Sequence, residues 1–242
     1  MAMTEDEDDI PRLDPSTLAA LQDFYDERDA RQKQFEDLKT AAEEGFSQNA
    51  DVSMDMFGED WNASQFWYTE STATTLAEQL LNGATEDTHI AVVSAPSVYV
   101  AMRKLLQDQG RYPSRPQIKL LEFDERFAVF KDDFARYDFQ EPLKLDSSLK
   151  GKFDRIICDP PFLSEDCQAK TALTARWMAR SWSDVKVIVC TGERMGILIH
   201  QLYGKTGLKT TTFLPEHSKG LSNEFRCYAN FECKDWKLER KD

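Results

Sequence analysis

Long hydrophobic runs, paired cysteines, a basic excess and a phosphate-binding glycine turn are all missing from this 242-residue sequence. Each absence closes off a class of protein. No apolar stretch reaches the roughly 20 residues that a membrane-spanning helix needs, and the N-terminus reads as acidic rather than as a signal peptide. No membrane role is expected. The five cysteines (Cys158, Cys167, Cys190, Cys227 and Cys233) contain no CxxC pair and are odd in number. That argues against a disulfide framework and against a zinc or other metal site, and for a reducing cytosol. The net charge is −13, and residues 1–60 carry all of it, with 18 acids against 5 bases; residues 61–242 hold 25 of each. Enzymes of nucleic acid ordinarily show a basic face to phosphates, so nucleic acid is not the expected partner. No internal repeat is visible.

What is present falls into two parts. Residues 1–60 read as an acidic arm. Asp14-Pro15-Ser16 looks like a helix start, followed by Leu18, Leu21, Phe24 and Tyr25 at helical spacing, with charge on the other face. Residues 40–60 lose that period and read as a linker. Such an arm either meets a basic protein partner or stays solvated. Residues 61–242 read as one α/β domain. It opens on Trp61-Asn62-Ala63-Ser64-Gln65-Phe66-Trp67-Tyr68, whose aromatics either cap the sheet or wall a ligand pocket. A helix from about Glu70 to Leu81 stops at Asn82-Gly83. Strands are expected at His89–Ser94, Gln117–Phe123, a short one ending at Tyr137-Asp138-Phe139, Phe153–Cys158 and Val185–Cys190, with helices between them. Two late runs, near Thr211–Leu214 and Phe225–Phe231, suit an antiparallel hairpin. Buried strands separated by helices predict a mainly parallel sheet with right-handed crossovers.

In an open sheet of this kind, ligands bind beyond the carboxyl ends of the strands. Those ends carry Ser94-Ala95-Pro96-Ser97, then Glu122 and Asp124, then Asp138-Phe139, then Asp159-Pro160-Pro161-Phe162. A carboxylate after the second strand can accept from both hydroxyls of a ribose. Asp138 can accept from an adenine amino group while Phe139 packs on its ring. The G-x-G-x-x-G turn that cradles a pyrophosphate is absent after His89–Ser94, which favours a sulfonium nucleoside, S-adenosylmethionine, over NAD. At the fourth strand end, Asp159 offers a carboxylate, the prolines offer carbonyls without competing N–H groups, and Phe162 offers a ring face. That set receives an amine. The tetrapeptide alone suits an exocyclic adenine amine as well as a lysine.

The wider set is more specific. It comprises Ser64–Tyr68, Val93–Tyr99, Glu122–Phe127, Asp159-Pro160-Pro161-Phe162-Leu163-Ser164-Glu165, Cys190-Thr191-Gly192 and Asn223-Glu224-Phe225-Arg226-Cys227-Tyr228. Together these resemble the eukaryotic lysine N-methyltransferases of translation elongation factor 1-alpha, a class I, DPPF-type family formerly described as putative adenine-specific DNA methyltransferases. The likeness runs from about residue 15 to residue 232, apart from the linker. It implies a Rossmann-like seven-stranded sheet with a C-terminal antiparallel hairpin, S-adenosylmethionine as donor and elongation factor 1-alpha as protein substrate; a cytoplasmic monomer is expected. It also implies donor binding by the Ser94–Ser97 turn, Glu122 and Asp138, with Phe66 and Tyr68 near the methionine end and the amine at Asp159–Phe162. The alternative is an adenine-specific DNA or RNA amino-methyltransferase. On either reading the amine needs a free lone pair; a lysine, with a pKa near 10.4, must first lose a proton. Asp159 and the Pro160 carbonyl would orient it, Phe162 would contact the developing cation, and the proton would pass to water.

Overall fold

A computed structural model of the chain describes residues 22, 33, 53, 54, 57–59, 65–220 and 224–239. The chain divides into two compact units, Met1–Ala50 and Asp51–Asp242. Apart from Gln22 and Lys33, which are helical, the amphipathic stretch of the acidic arm lies outside the described residues, as do Trp61–Ser64.

The second unit is built on a seven-stranded sheet. Its strands are β1 (His89–Val93), β2 (Gln117–Glu122), β3 (Phe134–Arg136), β4 (Arg155–Cys158), β5 (Lys186–Gly192), β6 (Lys209–Thr210) and β7 (Phe225–Ala229). They lie in the order β3-β2-β1-β4-β5-β7-β6. The first five are parallel, and β7 runs antiparallel between β5 and β6. Ile90–Val93 and all of β4 are buried; the apolar runs Ile90–Val93 and Ile156–Cys158 suit a sheet covered on both faces. Helix α1 (Glu70–Leu81) starts on Thr69, whose hydroxyl caps the Thr72 N–H, and buries Ala73, Leu76, Ala77 and Leu80 at helical spacing. Its last carbonyls, Leu80 and Asn82, are taken by the buried Arg155 guanidinium at 2.7 and 2.8 Å. It packs on α2 (Pro96–Leu105). Helices α3 (Glu165–Met178) and α4 (Gly196–Leu202) lend Ala175, Met178 and Ile199 to a core that also holds Val93, Ile156, Val187 and Val189.

Several expected boundaries move, for local reasons. The third strand ends at Arg136, before Tyr137-Asp138-Phe139, because the Asp138 carboxylate accepts from the Gln140 N–H at 2.8 Å and turns the chain. The first late strand is Lys209–Thr210 rather than Thr211–Leu214. There the Thr211 hydroxyl donates to the Cys227 carbonyl at 2.8 Å and accepts from Phe213, bending the chain out of the ladder. Phe57, which reads from sequence as linker, belongs to the core. Phe57 is 3% exposed, its ring stacks on Phe127 at 4.4 Å, and its carbonyl accepts from the Trp67 indole at 2.7 Å. No helix among the described residues is long and apolar enough to cross a membrane.

Candidate active site

The chain leaves β1 toward β2 and β3 on one side and takes up β4 and β5 on the other, so the switch in strand order falls between β1 and β4. Register fixes what meets there. Val93 lies level with Leu121 and with Cys158, and Cys158 with Val189. The next row across the sheet edge is therefore Glu122, Ser94, Asp159 and Cys190, each about 4.8 Å from its neighbour. Ser94 has φ +54, the left-handed region that normally favours glycine and costs other residues about 1–3 kcal/mol. It thus does the work of the missing glycine, and its N–H is held by the Leu121 carbonyl at 2.9 Å. The chain then enters α2 through Ala95 and Pro96, with no side-chain cap on the helix start.

Above this row lies a cavity of ≈ 640 Å³. Of the residues nominated from sequence, Phe66, Tyr68, Ser94, Ala95, Pro96, Ser97, Glu122, Asp138, Phe139, Asp159, Pro160, Pro161 and Phe162 all line it. Asp124 does not: its carboxylate is bound by the Arg126 guanidinium at 2.6–3.0 Å and by the Gln65 amide at 2.9 Å, and it caps the 3-10 turn Glu125–Asp133. Arg126 also donates to Gln65. Asp124 closes this triangle and holds the wall in place, so its expected contact with the donor is withdrawn. Gln65, Trp67, Phe123, Tyr137, Gln140, His217 and Phe225 also line the cavity. Six of these stand within or beside the stretches quoted above. His217, in the long late connection, carried no sequence signal.

The site holds two strained carboxyls. Burial lifts the Glu122 carboxyl from its ordinary 4.5 to about 7, against the N–H groups of Phe123 and Asp124, which bind one of its oxygens at 2.8 and 3.2 Å. Asp159 is raised to about 7 by removal from water and by the Glu122 charge. The Tyr68 hydroxyl is buried and makes no hydrogen bond. Burial, and then its neighbours Asp159 and Cys190, push its pKa far up. The Phe162 ring, 41% exposed, leans on Phe139 at 5.5 Å. The Phe162 carbonyl is tethered by the fully buried Gln168 amide, which also reaches the Thr191 hydroxyl, both at 3.0 Å. Gly192 leaves room for Leu163, which a Cβ would meet at 2.9 Å, so the Asp159–Leu163 loop lies close on β5.

A second loop closes the cavity from the other side. The Thr69 N–H bonds the Glu216 carbonyl and the Ser218 N–H bonds the Trp67 carbonyl. Glu59, its side chain 2% exposed, fastens this contact by accepting from the Trp67 N–H, the Ser218 hydroxyl and the Lys219 ammonium at 3.0–3.1 Å. Burial opposes the Glu59 charge, but these donors outweigh it and hold the carboxyl below its ordinary range.

The residues present fit S-adenosylmethionine. A buried carboxylate short of partners stands where a ribose diol would donate, aromatic rings stand where a purine would stack, and no glycine-lined cradle for a pyrophosphate is present in the first turn. The fold and site are those of a class I methyltransferase. A family model described as "Probable N6-adenine methyltransferase" matches residues 59–233. "Protein-lysine N-methyltransferase EFM5" of Saccharomyces cerevisiae is 45% identical over 238 residues, 93% of this chain and 94% of that protein. "EEF1A lysine methyltransferase 1" of Gallus gallus is 42% identical, covering 95% and 98%, and that of Homo sapiens 36%, covering 94% and 95%. Among solved structures, the branched-chain polyamine synthase of Thermus thermophilus shares the fold at 12% identity, with a TM-score of 0.50 over 84% of this chain and 68% of that one. The chain belongs to this family of S-adenosylmethionine-dependent protein-lysine methyltransferases.

Proposed function

We propose that this enzyme methylates a lysine of translation elongation factor 1-alpha in the cytoplasm. The observation that carries the reading is the edge row of the sheet, which sets the diol-binding Glu122 two strands from the amine-binding Asp159 with only Ser94 between them. The relatives' names support the lysine and the elongation factor. When bound, S-adenosylmethionine supplies an activated methyl on a sulfonium. The chain's own residues do the rest. Asp159 and the Pro160 carbonyl accept from the amine and aim its lone pair. Phe162 shields it from water and faces the cation that forms, a contact worth about 0.5–2 kcal/mol. Positioning supplies most of the rate. Asp138 and Phe139 hold the adenine end, and Phe66 and Tyr68 the methionine end.

The test is labelled donor with purified elongation factor 1-alpha, and in parallel with an adenine-containing oligonucleotide. Label is expected on the protein; label on the oligonucleotide alone would replace this reading with the adenine one. Asp159→Ala is expected to lower turnover by about 10³-fold or more while donor affinity changes by only a few-fold. Retained turnover would remove Asp159 from the mechanism.

A further inference from the structure

A lysine that enters as an ammonium brings one proton too many, and the groups assigned so far do not remove it. The Asp159 charge raises the amine's pKa, the Pro160 carbonyl cannot take a proton, and the Tyr68 phenol already holds its own. Among the described residues that line the cavity, His217 is the one imidazole. Its ring is fixed from two sides, tilted on Tyr68 at 4.9 Å and edge-on to Phe225 at 4.7 Å. Its backbone is locked between the Thr69–Glu216 and Ser218–Trp67 bonds. Neither ring nitrogen makes a hydrogen bond to a described residue. An oriented imidazole with two unused nitrogens, on the wall of a cavity built for an amine, is a lone pair waiting for an N–H.

Resting on the reading that the substrate is a lysine, we propose that His217 is a catalytic residue: it accepts a hydrogen bond from the incoming ammonium and then its departing proton. One proton moves from the amine nitrogen to an imidazole nitrogen. The free amine turns about its terminal C–N bond to bring the lone pair onto the donor methyl, the N–C bond forms as the donor's S–C bond breaks, and the imidazolium returns its proton to water at the half-exposed loop. Three acceptors, Asp159, the Pro160 carbonyl and His217, match the three N–H groups of an ammonium; passing the proton to His217 keeps the Asp159 carboxylate charged opposite the cation that forms. The groups around the ring are Glu59 and Lys219 at the loop's clamp, Tyr68 beneath it, and Asp159 elsewhere on the cavity wall. Burial holds the imidazole neutral, its pKa lowered to about 4 despite Glu59, so it enters the reaction with its lone pair free and without repelling an ammonium.

Two variants test this on the full chain with elongation factor 1-alpha. His217→Phe keeps the ring packing, and His217→Gln keeps an acceptor that cannot carry a proton. Both are expected to bind S-adenosylmethionine within about threefold of wild type. Both should lose on the order of 10²-fold in kcat at pH 7, with a smaller change in KM. The deficit should shrink about tenfold or more at pH 9, where a hundredfold larger fraction of free amine replaces the lost acceptor. A kcat within about threefold of wild type in His217→Gln overturns the proposal, as does a deficit equal at both pH values. If His217→Phe fails to fold, His217→Gln decides alone. Absence of label with the wild-type enzyme would instead refute the lysine reading beneath it.

Discussion

At the scale of single residues, the chemistry rests on carboxyls held where water would not put them. Glu122 and Asp159 both titrate near 7. A carboxyl whose folded pKa lies above its unfolded value stabilises the fold while protonated. For Glu122 that contribution is complete below about 4.5 and fades as pH rises through 7. Glu122→Gln is therefore expected to raise stability at pH 8 by on the order of 1–3 kcal/mol, a gain that vanishes at pH 5 in thermal melts at the two values. The same variant should lose donor binding. Because ribose hydroxyls donate to the ionised carboxylate, wild-type affinity for S-adenosylmethionine should weaken as pH falls from 8 to 6. A calorimetric Kd that is flat over this range would separate Glu122 from the donor. Asp124 shows the opposite case. It stands two positions beyond Glu122, yet Arg126 and Gln65 consume its oxygens, and nothing in an isolated Glu-Phe-Asp reveals which acid stays free.

At the scale of elements, the cavity is closed by a loop held by two backbone bonds and fastened by one buried carboxylate. Glu59 joins Trp67, Ser218 and Lys219, and this keeps Glu216–Ser218 against the segment that opens α1. Glu59→Gln weakens charge-assisted bonds worth about 1.5–3 kcal/mol each when made to an ion. Faster hydrogen exchange is expected at the Ser218 and Thr69 amides, with KM for the protein substrate rising more than kcat falls. Unchanged exchange there would mean that the backbone bonds hold the loop without the clamp. From sequence Glu59 reads as linker because its neighbours are polar and without period. Its role depends on groups as far as 160 positions away, Lys219 among them.

At the scale of the whole molecule, charge is divided as well as structure. The second unit's portion from residue 61 is neutral, while residues 1–60 carry the entire excess of acid. If the arm steers a basic substrate, removing residues 1–40 should raise KM and flatten its dependence on ionic strength, since attraction between separated charges is what salt screens. KM measured from 50 to 300 mM salt on both forms decides it; parallel curves would leave the arm without a part in encounter.

What the sequence determined alone was the set of strands and the residues at their ends. His89–Val93, Gln117–Glu122 and Arg155–Cys158 are legible because each carries a short apolar run, Ile90–Val93, Leu120-Leu121 and Ile156–Cys158, as the buried part of a parallel strand must. The helix Glu70–Leu81 is legible because both its apolar period and its Asn82-Gly83 stop are local. Order and register were not legible. Ser94 meets Glu122 and Asp159, 28 and 65 positions on, because Val93 pairs with Leu121 and Cys158. Those pairings are set by packing and hydrogen bonds between distant segments, to which hydrophobic periodicity is blind. His217, Glu59 and the strained Ser94 were decided at that level too. Each acts through contacts that exist only once the late loop has folded back on Trp67 and Tyr68 and the sheet has brought its strand ends into one row.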